Sequence, residues 1–189
     1  MQQTRRMAWR KRHQLGFTLV ELMVIVVIVG ILALLGTYSV RKYVTSSKTS
    51  EATEMISVIK TAQENYKDET FTYLNVTPNI DTYYPNNPNA GRVKFQWGAG
   101  DPPTLANWQT LGVHAAQPVL FQYSCIAGAA NSAIPLPGGG ASDITVGNWP
   151  ATTGAPWYVV KAEADFEGDG RHTVFVGTSF YGEIFAAGN

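Results

Sequence analysis

From Phe17 to Leu35 the chain is apolar around its whole circumference, and Glu21 is the one ionisable residue in the run. At a rise of about 1.5 Å per residue, that length just crosses a bilayer core of about 30 Å. Its β-branched residues would also suit a buried strand, but strands seldom exceed about ten residues, so length predicts a helix. Past Leu35 the pattern becomes one-sided. Ala52, Met55, Ile56, Ile59, Ala62 and Tyr66 recur at three- and four-residue spacing, while Glu51, Glu54, Lys60, Glu64 and Lys67 fall between them. That is a helix with one buried stripe, on which Glu64 can pair with Lys60 or Lys67. Helix formers continue to Asp68-Glu69-Thr70, and Pro78 limits extension. One helix over 17–68 would be about 78 Å long, bare in its first half and packed in its second.

The remainder alternates short strand patterns with turns. Residues 70–90 are rich in Pro, Asn and Tyr, which predicts an irregular segment. Candidate strands are Arg92–Trp97, Val119–Ser124, Trp157–Glu163, Thr173–Val176 and Glu183–Phe185, with a buried-aromatic loop at Trp108–Gly112. The last three strands are separated by brief turns, so an antiparallel meander with one wet face is the economical arrangement. The fold class is α+β: a long N-terminal helix whose C-terminal half packs on an antiparallel sheet. The expected layout is a leader at 1–16, an apolar helix at 17–40, an amphipathic helix at 41–70 and a head at 71–189. Residues 126–156, with Gly138-Gly139-Gly140, are expected to form a long surface loop.

Charge sharpens this picture. The formal net charge is zero over 189 residues, yet residues 1–16 hold five Arg and Lys and no acid. The rest of the chain carries nine Lys and Arg against fourteen Asp and Glu. A domain of that sign lacks the cation–phosphate contacts on which nucleic-acid affinity depends, so no nucleic-acid partner is expected. The cations before the apolar run outnumber Arg41, Lys42 and Lys48 after it, which predicts a cytoplasmic N-terminus. No small-residue cleavage site follows Leu35, and an uncleaved signal anchor would account for composition alone. The single cysteine, Cys125, cannot close an intramolecular disulfide; a buried apolar role is expected, with an intersubunit bridge as the alternative.

Two features count against a plain anchor. A charge inside a membrane helix costs about 2.5–3.5 kcal/mol at its centre and less near an end, so Glu21 implies a partner or a use. The cationic leader also stops sharply at the Gly16-Phe17 boundary. The segment Gly16-Phe17-Thr18-Leu19-Val20-Glu21 resembles the processing site of type IV prepilins and of the pseudopilins of type II secretion. The resemblance implies that a prepilin peptidase cuts between Gly16 and Phe17 and that Phe17 becomes N-methylated. It also implies that Glu21 pairs with the N-terminal amine of a neighbouring subunit during assembly. Gly30 falls where that family usually has a glycine. The chain departs from many major pilins at Tyr38, where they carry proline; with its N–H donor kept, the helix is expected to run on past Gly36.

The stretch Asp165-Phe166-Glu167-Gly168-Asp169-Gly170 places Asp165, Glu167 and Asp169 at alternate positions, like the start of a calcium loop. The twelfth position, normally a bidentate acid, is Val176. A tight acidic turn with glycines at positive φ explains the same residues. His13, His114, His172 and Cys125 have no zinc-like spacing, and no nucleophile elbow or phosphate-binding loop is present, so catalysis is not expected.

The expected function is therefore that of a structural subunit, major or minor, of a type IV pilus for adhesion or motility. The rivals are a type II secretion pseudopilin and an uncleaved membrane-anchored periplasmic binding domain. The implied partners are a prepilin peptidase, an inner-membrane assembly platform and other pilin subunits. The implied locations are the inner membrane before assembly, then an extracellular pilus or a periplasmic pseudopilus.

Overall fold

The computed structural model describes residues 16–98, 102–137 and 149–188. The proposed leader up to residue 15 and the Gly138-Gly139-Gly140 run lie outside the described residues. The chain divides into two units between Val44 and Thr45. Helix α1 spans Leu19–Thr70, so its backbone continues through Gly36 and Tyr38 without a break. It ends where Phe71 takes a positive φ of 62° and its N–H donates to the Lys67 carbonyl at 2.7 Å. That left-handed closure is usually made by glycine.

In the second unit, four strands form one antiparallel meander: β1 (Gln122–Gly128), β2 (Trp157–Ala164), β3 (Thr173–Thr178) and β4 (Phe185–Ala187). The register pairs Cys125 with Val160 and Ala162 with Phe175. The anticipated stripe packs as its spacing predicts: Ala52, Ile56 and Ile59 are fully buried with Tyr123, Cys125, Tyr158, Val160, Ala162 and Phe175. Gln63 continues the stripe although it is polar. Its side-chain amide both donates to and accepts from the backbone of Leu74, at 2.8 and 3.0 Å, as a peptide group would. It also reaches Cys125 Sγ at 3.1 Å.

The sheet does not have a wet face. A second apolar cluster of Ile80, Ile126, Ile134, Trp157, Val159, Val174 and Val176 covers its other side. All eight residues of β2 are consequently buried. Three sequence expectations are corrected here. Arg92–Trp97 is no strand, because its one partner is an isolated bridge from Phe95 to Val119. The second candidate strand runs Gln122–Gly128 rather than Val119–Ser124, so it takes in the first three residues of the loop expected at 126–156. The aromatic loop at Trp108 is part of a short helix, α2 (Pro102–Thr110), and two prolines suit its first turn because no N–H is needed there. Trp108 is fully buried, 5.5 Å from the ring of Trp97.

The outer edge of β1 is not open. Val76 and Thr77 both donate N–H to the Cys125 carbonyl, and Tyr84 exchanges both backbone bonds with Tyr123. The irregular segment predicted at 70–90 thus serves as an edge cover. At the opposite edge, β4 has three residues.

Candidate functional site

The predicted assembly residues sit where an apolar helix begins. Leu19–Thr37 has a mean hydropathy of 2.9 and no part of it is buried inside the protein. Leu19 is 76% exposed and Leu34 74% exposed. At about 25 cal/mol per Å² of apolar surface, such a stripe is strongly driven to leave water for lipid or for other helices.

Glu21 has a local partner that sequence reasoning did not identify. Thr18 donates both its backbone N–H and its hydroxyl to Glu21 Oε2, each at 2.8 Å, and Glu21 N–H donates back to Thr18 Oγ1 at 3.2 Å. This is a reciprocal capping box, with Thr18 as the cap and Glu21 three residues on. The signal was present, since threonine followed three residues later by glutamate before an apolar run marks a helix start. The box satisfies two N–H groups that the first turn would leave bare, and the acid complements the positive end of the helix dipole. Glu21 Oε1 accepts no hydrogen bond within the described residues. Gly16 and Phe17 are exposed just before the box, Phe17 at 77%.

The other predicted acidic residues lie in the connection from β2 to β3. Asp165 accepts N–H bonds from Glu167, Gly168 and Gly170, and the bond from Gly168 does most to hold its carboxyl below the usual range. Gly168 and Gly170 have φ of 77° and 81°, the left-handed turn anticipated. Asp169 Oδ1 accepts the N–H of Arg171, and Glu167 is exposed. Among the described residues, no group of three His, Cys, Asp or Glu side chains is placed to hold a metal ion.

A charged array beneath the 80s segment was not foreseen. Lys161 is fully buried on β2, 2.9 Å from Glu163 Oε2 and 3.1 Å from Asp81 Oδ1. Tyr83 donates its hydroxyl to Glu163 Oε2, and His172 Nδ1 lies 2.9 Å from Glu163 Oε1. Burial first, then the Glu163 carboxylate, raise the tyrosine pKa. Two charged residues that fall between the stripe positions on α1 also find partners in the head. Glu51 accepts the N–H of Leu120, and Lys60 donates to the Tyr181 carbonyl at 3.1 Å. Glu64 and Lys67 meet through Tyr73, whose hydroxyl donates to the first and accepts from the second.

Comparison with known proteins places the N-terminus in context. Residues 11–37 match the family described as the prokaryotic N-terminal methylation motif. The chain is 34% identical over 122 residues to the type IV major pilin protein PilA of Myxococcus xanthus, covering 65% of this chain and 54% of that protein. It is 42% identical over 64 residues to the type II secretion system core protein G of Pseudomonas aeruginosa, covering 34% of this chain and 45% of that protein. The chain thus spans about half the length of the relatives it matches. No solved structure matches it.

Proposed function

We propose that this chain is a structural subunit of a type IV pilus, held in the inner membrane by its apolar helix and transferred from lipid into a helical filament. The observation that carries this reading is an apolar helix, unburied from Leu19 to Thr37, that begins with a carboxylate in its first turn. Prepilin peptidase removes the leader between Gly16 and Phe17 and methylates Phe17. The capping box lies wholly downstream of that cut, so processing leaves it intact. Glu21 Oε2 stays on Thr18, and Oε1 receives the new amine of a neighbouring Phe17. A buried ion pair of this kind forms only when both charges arrive together, which makes docking selective for a processed neighbour.

Mass spectrometry of the membrane-extracted protein tests the processing step: the chain should begin at methylated Phe17, and one that retains Met1 refutes it. Glu21→Ala should leave leader removal intact and abolish incorporation into sheared fibres. Normal incorporation would refute the assembly role. The identity to a secretion core protein supports a second reading, a pseudopilin. Immunogold labelling on long surface fibres favours the pilus, whereas label confined to the periplasm favours the pseudopilus.

A further inference from the structure

The head carries a concave polar cavity of about 240 Å³ where three segments distant in sequence converge. Its walls come from the 83–92 segment, the first residue of β1 and the connection from β2 to β3. The charged walls are fixed from behind. Tyr83 donates to Glu163, itself paired with buried Lys161, and His172 Nδ1 lies 2.9 Å from Glu163 Oε1. The Arg92 guanidinium donates to Asn89 Oδ1 at 3.0 Å and lies against Gly168, where an added Cβ would fall 2.6 Å from Nη1. Asp165 is locked by three loop N–H groups. By contrast, the side-chain amides of Asn86 and Gln122 make no hydrogen bond among the described residues, although Gln122 is half-buried. A rigid frame with two open amides is the arrangement expected of a preorganised site rather than of a collapsed surface dimple.

The chemistry of the walls selects the occupant. Arg92 and Asp165 oppose each other in charge, which favours neither an anion nor a cation. Arg92 supplies donors, Asp165 supplies acceptors, and the two open amides supply both. A ligand that uses all of them must carry donors and acceptors side by side, and a hydroxyl group combines the two in one atom. Planar amide, guanidinium and carboxylate groups each present paired atoms that span two vicinal hydroxyls, while Pro88 and the Tyr83 ring offer apolar surface to C–H groups. The volume lies below the roughly 300–1,000 Å³ of sites for drug-sized ligands, so one small ring fits. We propose that this cavity binds a single pyranose ring of a neutral saccharide.

The full chain in a detergent without sugar headgroups is titrated with glucose, galactose, mannose and N-acetylglucosamine, by saturation-transfer NMR and calorimetry. At least one sugar should saturate with a millimolar-range Kd. Asn86→Ala and Gln122→Leu should each weaken that binding by about tenfold. Asn86 is exposed, so its variant keeps the fold and serves as the control should Gln122→Leu destabilise β1. Saturation by none of the sugars, unchanged affinity in Asn86→Ala, or inorganic phosphate binding in place of every sugar would each overturn the proposal. The result does not depend on whether the chain forms a pilus or a pseudopilus.

Discussion

Adding one methyl group to β3 should loosen the seat of α1. Gly177 faces the helix, and a Cβ built there falls 2.6 Å from Ile56 Cγ2 and 3.3 Å from Lys60 Cδ. Carbon atoms rest at about 3.5–4.0 Å, so Ile56 would have to retreat by about 1 Å. It has little freedom to do so, being fully buried and β-branched. Gly177→Ala should therefore cost about 1–3 kcal/mol, the usual range for overpacking a filled core. Ile56→Ala alone should cost about 2–5 kcal/mol by leaving a cavity. In the double variant the new methyl occupies space that Ile56 has vacated, so the combined loss should fall short of the sum by about 1–3 kcal/mol. Denaturant unfolding of the full chain in micelles can be followed by the fluorescence of Trp97, Trp108 and Trp157, all buried in the head. A single-variant cost below about 0.5 kcal/mol, or two losses that simply add within that margin, would refute helix-to-sheet contact at this point.

Other consequences are more local. Glu51→Ala strips the acceptor from the nearly buried Leu120 N–H and should cost about 1–3 kcal/mol in the same assay, whereas Glu51→Gln should be close to neutral. Lys161→Met leaves Glu163 as a buried, under-compensated carboxylate and should cost about 3–5 kcal/mol, with partial recovery on adding Glu163→Gln. Asp165 titrates below its unfolded value of about 3.9, so its contribution is complete above that pH and is lost as pH falls through the lower folded value. The stability gap between wild type and Asp165→Asn, measured from pH 7 down to 3, should therefore be flat and then close; a gap that widens on acidification contradicts this. Burial pushes the Cys125 thiol up to about 12, so iodoacetamide at pH 8 should label it only after denaturation.

The parts of the structure legible in sequence are those carried by neighbouring residues. The apolar run, the stripe from Ala52 to Tyr66 and the strands at Trp157 and Thr173 declared themselves by period, because each repeats one geometry locally, whereas the closing strand expected at Glu183–Phe185 forms at Phe185–Ala187. The methylation motif was legible for the same reason. Lys161 and Glu163 misled because alternation records which residues share a face and says nothing about what covers it. A second apolar layer from Ile80 and Ile134 turned an expected wet face into a buried ion array. Arg92–Trp97 alternates like a strand but finds no continuous partner, and pairing lies outside any local pattern. Gln63 shows the opposite case, a polar residue at a stripe position whose amide replaces a backbone group. The saccharide cavity had no sequence signal, since its walls come from positions 83 to 172 and only tertiary folding brings them together.

The two margins of the sheet bear on crowding. In the proposed fibre, heads would stand side by side at enormous local concentration, the condition under which exposed strands fuse into irreversible aggregates. Here one margin is sealed by the segment running from Val76 to Tyr84, and the other ends in a strand of three residues, too short to template much. Copies held in such an array are therefore steered away from sheet-to-sheet joining. In that proposed fibre their cohesion would fall to the apolar rods, and a contact made of greasy side chains, unlike a β-ladder, could be undone if the fibre were taken apart.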